Sequence, residues 1–189
     1  MSIRTLMLAT VLGLGFAAPL ALAPAFAQEK TVEVGGAPMY PSKDIIDNAV
    51  NSKDHTTLVA AVKAAGLVDT LKGAGPFTVF APVNSAFAAL PAGTVDTLLK
   101  PENKATLTAV LTYHVVAGKM SAADLMAAIK AGGGKAVLKT VQGGALTAMM
   151  AGDKIELVDA KGGKSIVTIA DVNQKNGVIH VVDHVLLPM

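Results

Sequence analysis

The chain has 189 residues, with 16 Lys and Arg against 14 Asp and Glu, so its formal net charge at pH 7 is only +2. A nearly neutral chain exerts little long-range attraction on nucleic acid or an anionic membrane, and aromatic residues that could stack on bases make up only 4% of it. The absence of Cys excludes disulfides, so an exported domain would have to be held together by packing alone.

The first 27 residues have the layout of a secretory signal peptide. Arg4 provides a short positive start, residues 6–23 are almost wholly apolar, and Ala25–Ala27 match an A-x-A cleavage site. A transmembrane anchor is the alternative, since the apolar run is about 20 residues long. Prolines and small residues near its end favour cleavage, so we predict a signal peptide at residues 1–27 and no membrane insertion of the mature chain.

Residues 28–40 are predicted to be a flexible lead-in without regular structure, because glycines and prolines interrupt the segment. The folded domain is predicted over residues 41–189. Helical spacing of apolar residues then predicts three short helices, with Ser42 as the N-cap of the first and Gly66 at the end of the second. These helices are predicted at residues 43–52, 55–66 and 67–73.

The stretch GPFTVFAPVNSAFAALP, residues 75–91, predicts a corner between a strand and a helix. Phe77–Phe80 is rich in aromatic and β-branched residues, and Pro82 ends the strand because it has no N–H to donate. Asn84 is predicted to be the N-cap of the following helix. Each polar residue of the corner is therefore predicted to bond to the backbone, which favours a role in the fold over a role in catalysis.

Helices are predicted on both sides of Pro101, and another begins at Ser121, where Asp124 completes a partial capping box. From Ala136 onward the apolar residues alternate with a period of two, and glycine-containing turns divide the sequence into five predicted strands. Helices followed by hairpins indicate an α+β domain with an antiparallel sheet.

Most chemically suggestive motifs are predicted to be structural. Gly163–Ser165 resembles the end of a phosphate loop, but the preceding glycine and following helix are missing, which favours a hairpin turn. His180 and His184 have the spacing of a helical zinc site, but in a strand they would lie roughly 13 Å apart. No metal or cofactor site is therefore predicted.

Three functional alternatives remain open from the residues alone. A hydrolase could combine Ser85, His114 and Asp183, although no elbow motif supports it. A small-molecule or lipid carrier would fit the hydrophobic content of 52% and would need a cavity of several hundred Å³. The adjacent Tyr113 and His114 either support the fold, with His114 buried and bonded to a loop backbone, or contact a partner.

Three stretches in order resemble the fasciclin (FAS1) domain. Residues 75–91 resemble its first signature block, LTYHVV at residues 111–116 its Tyr-His motif, and NGVIHVVDHVLLP at residues 176–188 its C-terminal block. The resemblance spans about residues 41–189 and implies a wedge-shaped β-sandwich with helices packed on one side. In animal members the Tyr-His motif is implicated in integrin binding, which implies Tyr113 and His114 as partner-binding residues.

The sequence thus predicts a secreted, periplasmic or cell-surface adhesion module that is not an enzyme. Its partner is expected to be a protein or a component of the matrix or cell envelope, bound without a cofactor, and the chain is expected to be a monomer.

Overall fold

Within residues 30–189, the part that the computed structural model describes, the chain forms seven α-helices, a two-stranded hairpin and a seven-stranded sheet. The strands are β1 (Val32–Val34), β2 (Ala37–Met39), β3 (Phe77–Pro82), β4 (Val115–Ala117), β5 (Lys135–Lys139), β6 (Ala145–Ala151), β7 (Lys154–Val158), β8 (Lys164–Gln174) and β9 (Gly177–Val182). The helices are α1 (Ile45–Ala49), α2 (Thr56–Ala65), α3 (Val68–Lys72), α4 (Asn84–Ala88), α5 (Thr94–Leu99), α6 (Lys104–Tyr113) and α7 (Ala122–Ala131), with 3₁₀ turns at Lys53–His55 and Pro101–Asn103. The signal peptide predicted at residues 1–27 lies outside the described residues.

Local capping chemistry sets several helix ends where the sequence predicts them. Gly66 ends α2 in the left-handed conformation, with φ of 73°. Ser121 and Asp124 form the full reciprocal capping box that starts α7. The predicted N-cap of α1 is wrong by two residues: Asp44, not Ser42, accepts the N–H of Asp47 at 2.8 Å, because the helix begins only at Ile45.

The prediction that residues 28–40 lack regular structure is wrong at residues 32–39. β1 and β2 form a hairpin whose two-residue turn places Gly35 at φ 60° and Gly36 at φ 72°. Positive φ at both central residues matches the twist of hairpin strands and is readily adopted by glycine, so the glycines make the turn instead of preventing structure. Val34 and Met39 are buried in the core, which makes the hairpin part of the packed domain.

The seven strands form one mixed sheet in the order β4-β3-β9-β8-β7-β6-β5. The five C-terminal strands pair antiparallel as predicted, but β3 pairs parallel with β9, so the prediction of an antiparallel sheet is wrong at that position. β8 is 11 residues long and belongs to both halves of the sheet. Register shifts between Val167 and Val172 bend it, with Asp171 at φ 58°.

This bend allows the two halves of the sheet to face each other around one apolar cluster, and α7 packs into the same cluster. Its buried members include Phe80, Val116, Leu125, Ile129, Leu146, Leu157, Val182 and Leu186. A second cluster lies between the sheet and the layer of helices and hairpin. Its buried members include Val34, Ile45, Leu58, Val62, Val79, Phe87, Leu107, Leu111 and Ile179. The predicted α+β sandwich with helices packed on one side is confirmed.

None of the helices within residues 30–189 combines the length and the apolar character needed to cross a lipid bilayer.

Candidate functional site

The corner between β3 and α4 is held by Asn84, but not through the predicted cap. Val83 occupies the N-cap position of α4. The Asn84 Oδ1 atom instead accepts the backbone N–H of Thr57 at 3.0 Å and the Thr56 hydroxyl at 3.2 Å, and its Nδ2 donates to the Lys53 carbonyl at 2.7 Å. Asn84 therefore caps the start of α2, which is a correction to the sequence-based prediction.

Tyr113, the last residue of α6, is buried and only 1% exposed. Its hydroxyl donates to the Ala145 carbonyl at 2.6 Å and accepts the N–H of Ala160 at 3.1 Å. Burial is the largest effect on this phenol and raises its pKa. The backbone of Gly144 lies so close that an added Cβ would be 2.9 Å from the Tyr113 ring. Tyr113 thus joins the start of β6 to the turn between β7 and β8.

His114 is 3% exposed and bonds only to backbone. Its Nε2 accepts the N–H of Leu186 at 3.0 Å, so that nitrogen carries no proton and Nδ1 donates to the Val110 carbonyl at 2.8 Å. Burial lowers the pKa of His114 to about 4. At neutral pH the ring is therefore uncharged, with one tautomer fixed by its two partners.

These contacts match the structural alternative considered for the pair, in which His114 is buried and bonded to a loop backbone and Tyr113 packs. The two side chains diverge. Tyr113 bonds to the start of β6 and the β7–β8 turn, and His114 bonds to Leu186 near the C-terminus. A direct contact between either side chain and a partner stays a prediction.

Asp159 completes the same region by holding the C-terminal segment. Its Oδ2 accepts the N–H of Leu187 at 2.9 Å, and its Oδ1 accepts the N–H groups of Lys161 at 2.9 Å and Gly163 at 2.7 Å. An open groove of about 610 Å³ lies beside these contacts and is hereafter called the C-terminal groove. Its lining includes Tyr113, Gln142–Ala145, Asp159–Ala160 and Pro188–Met189.

The histidines do not form a metal site in the structure. His180 lies in β9, as the predicted extended segment requires, and donates from Nε2 to the Met120 carbonyl at 2.9 Å while Nδ1 accepts the N–H of Asp171 at 3.3 Å. His184 is exposed and lies 2.9 Å from an Asp183 oxygen. Across residues 30–189, no three or more His, Asp or Glu side chains are grouped so that they could hold a metal ion.

The composite hydrolase site is not assembled. His114 bonds to Val110 and Leu186, whereas the Asp183 carboxylate accepts from the backbone of Ile166 and the hydroxyl of Ser165. Ser85 lies exposed on α4 and shares no hydrogen bond with either residue. Gly163–Ser165 forms the β7–β8 turn and the start of β8, as predicted.

A Ser–His contact that sequence reasoning missed lies inside the helical layer. The Ser52 hydroxyl is 2.9 Å from Nδ1 of His55, and both residues are buried. Among the described residues His55 Nε2 has no hydrogen-bond partner, and the ring lines an apolar cavity of about 40 Å³. This cavity is about tenfold below the volume typical of ligand pockets, so it gives little room for a substrate or for the lipid of a carrier.

The fold and these contacts define a packed α+β scaffold domain whose buried polar side chains bond mainly to its own backbone. The model of the fasciclin domain matches residues 53–188, most of the chain. Protein sll1483 of Synechocystis sp. is 46% identical over 169 residues, covering 89% of this chain and 87% of that protein. Immunogenic protein MPB70 of Mycobacterium bovis is 38% identical over 145 residues, covering 74% of this chain and 66% of that protein.

A solved structure of a FAS1 domain pair from the insect cell adhesion molecule Fasciclin I shares the fold, with a TM-score of 0.70 and 18% sequence identity. The match covers 78% of this chain and 52% of that chain. The chain belongs to the fasciclin domain family, as the three sequence blocks implied.

Proposed function

We propose that the chain is a secreted, periplasmic or cell-surface interaction module, which binds a protein, matrix or envelope partner and carries no catalytic activity. The fasciclin-domain match over residues 53–188 is the observation that carries this proposal. Two similar proteins support it by name: a cell surface glycolipoprotein of Mycobacterium bovis, MPB83, 36% identical over 145 residues, and the cell adhesion molecule whose fold is shared.

The buried histidines support a role without turnover. His114 and His180 both use their ring nitrogens on backbone groups, and burial lowers the pKa of each. A general base needs a free nitrogen within reach of a substrate proton. His55 Nε2 has no hydrogen-bond partner within residues 30–189, but the apolar cavity beside it, about 40 Å³, gives a substrate little room.

Tyr113 and His114 contribute to partner binding, in this proposal, by fixing the C-terminal groove. The hydroxyl of Tyr113 holds two loops of the groove together, and His114 holds Leu186 just before its C-terminal wall. The groove would then present its backbone and loop side chains to the partner while the pair stays buried.

Capture of the full-length secreted protein on cell-envelope fractions tests the proposal. The protein is expressed with residues 1–27 retained and without a C-terminal tag, because Pro188 and Met189 line the groove, and N-terminal sequencing is expected to find Gln28 first. Specific, saturable capture is expected, and sedimentation is expected to give a monomer. Retention in the cytoplasm, or absence of capture by folded protein, contradicts it. Turnover of an ester or amide substrate that disappears in a folded His184→Ala or Ser85→Ala variant would contradict the non-catalytic assignment.

A further inference from the structure

Strands β5, β6 and β7 have one buried and one open face. Along β5, Ala136 and Leu138 are buried while Val137 is 72% exposed, so successive side chains alternate between the two faces. The buried face packs on α7 through Leu125 and Ile129. On the opposite side, the exposure of Val137 shows that the centre of β5 lies open to solvent.

Cross-strand pairing places apolar and small side chains in rows on the open face. Val137 pairs with Thr147, and Thr147 pairs with Val158 in the next strand. In the neighbouring row the half-buried Met149 and Ile166 lie on either side of Glu156, and Lys135 pairs with Met149 at the β5 end. We call these two rows and the lysines around them the outer face.

Lysines surround the rows. The strand positions of the outer face contribute four lysines and the carboxylate of Glu156, and Asp153 lies in the adjoining turn. The lysines are Lys135, Lys139, Lys154 and Lys164. Glu156 pairs with Lys164 at 3.1 Å. The other three lysines have no carboxylate within 4.0 Å in the described part of the chain. Positive charge is thus concentrated here on a chain whose net charge is only +2.

This arrangement distinguishes between possible occupants. A second copy would bring lysines against lysines, which costs free energy and disfavours self-association through this face. An anionic polysaccharide would satisfy the lysines but would leave the apolar centre without a complementary group. A protein with carboxylates around an apolar or aromatic centre complements both parts, because interfaces commonly have an apolar core and a polar rim.

We propose that the outer face, centred on Val137 and rimmed by Lys135 and Lys139, is a docking surface for an acidic protein partner. This inference rests on the interaction function proposed above and adds a second docking surface, separate from the C-terminal groove.

The test uses the full secreted protein labelled with ¹⁵N and titrated with a random copolymer of glutamate and tyrosine. Poly-glutamate tests charge alone, and dextran sulfate tests an anionic polysaccharide. Amide shift changes are expected along β5–β7 for the copolymer, with weaker binding to poly-glutamate. Val137→Thr, which keeps the branched shape, is expected to weaken copolymer binding about fivefold.

The charge contribution is tested with a double variant, Lys135→Gln with Lys139→Gln. It is expected to weaken copolymer binding about threefold to tenfold, since rim ion pairs are individually weak. The matched control replaces the exposed helix lysines Lys63 and Lys130 by Gln and is expected to change binding less than twofold. Unchanged amide spectra outside the substituted strands establish that each variant is folded.

Shift changes confined to the C-terminal groove, or no binding of the copolymer, would overturn the proposal. If dextran sulfate binds as tightly as the copolymer and Val137→Thr does not weaken its binding, the outer face binds polyanions in general. That result would overturn the proposal of a protein partner. If the Val137 and lysine variants are captured on envelope fractions as well as the wild type, the outer face is not the docking surface. The proposed interaction function is then unaffected.

Discussion

The Oδ1 atom of Asn84 accepts the backbone N–H of Thr57 at 3.0 Å, so a residue in the first turn of α4 caps the first turn of α2. The two residues are 27 positions apart in sequence, and the contact fixes how the strand-to-helix corner meets the helical layer. Asn84 Nδ2 strengthens the same junction by donating to the Lys53 carbonyl at 2.7 Å.

Replacing Asn84 by Ala is expected to lower the free energy of unfolding by about 0.5–2 kcal/mol, because the start of α2 loses its cap. Urea denaturation measures the loss, and amide hydrogen exchange is expected to accelerate at Thr57. Asn84→Asp is the matched control: it keeps the acceptor for Thr57 but turns a second acceptor towards the Lys53 carbonyl, so exchange at Thr57 is expected to stay slow even though the Lys53 contact is lost. An unchanged exchange rate at Thr57 in the Ala variant would contradict the assignment of this cap.

Replacing His114 by Ala is expected to destabilise the domain by about 2–4 kcal/mol, because it opens a cavity and leaves the N–H of Leu186 buried without an acceptor. Chemical denaturation measures the change. His184→Ala removes a histidine that is exposed, and it is expected to change the stability by less than about 0.5 kcal/mol. A loss in His114→Ala as small as that expected for His184→Ala would show that the buried contacts of His114 do not stabilise the domain.

The domain is expected to lose stability as the pH falls from about 6.5 towards 4. Burial lowers the pKa of His55, His114 and His180 in the folded state, with that of His114 at about 4, so the unfolded chain binds more protons in this range. The stabilisation is fully present above the unfolded pKa of 6.5 and is lost as pH falls through the folded values. His114 alone accounts for roughly 3 kcal/mol of this loss.

Urea denaturation at pH 7.5, 6.0 and 5.0 measures how the free energy of unfolding depends on pH. His114→Gln removes one titrating ring. It is expected to weaken this dependence on pH, even though the variant is less stable at pH 7.5. If the wild-type chain and this variant show the same dependence on pH, folding does not lower the pKa of His114.

Replacing Asp159 by Ala is expected to release the C-terminal segment, because the N–H of Leu187 loses its acceptor. Two turn amides, those of Lys161 and Gly163, lose theirs as well. Faster exchange at all three amides is expected, with a loss of about 1–3 kcal/mol in unfolding free energy. The control is Asp153→Ala in the exposed β6–β7 turn, for which exchange at Leu187 should stay at the wild-type rate. If amide exchange at Leu187 is not faster in the Asp159 variant, Asp159 does not hold the C-terminal segment.

Much of the fold is predictable from the sequence, because several signals are local. Gly66 and the Ser121–Asp124 box depend only on neighbours within one helix turn, so their geometry follows from residue type. The hairpin at residues 32–39 is also visible in the sequence, because Val32, Val34, Ala37 and Met39 alternate about a Gly-Gly turn. Adjacent glycines are equally compatible with irregular structure, so composition alone does not distinguish the two.

The missed features depend on contacts between distant segments. The N-cap preference of Asn predicts that Asn84 caps its own helix, α4, because Thr57 lies 27 positions away in the sequence. Periodicity likewise identifies β3 and β9 as strands without indicating that they pair with each other. Tyr113 and His114 form hydrogen bonds with the backbone of Ala145, Ala160 and Leu186, none of which a local pattern connects with the Tyr-His motif.

The parallel pairing of β3 with β9 joins Phe77 to Gly177, residues that are 100 positions apart. During synthesis the residues of the helical layer therefore leave the ribosome well before the strand that completes the middle of the sheet. Pairings over such separations are entropically expensive to close and slow to form. We therefore expect the nascent chain to stay open until β9 has left the ribosome, a state in which an export machinery that threads unfolded chains could still accept it.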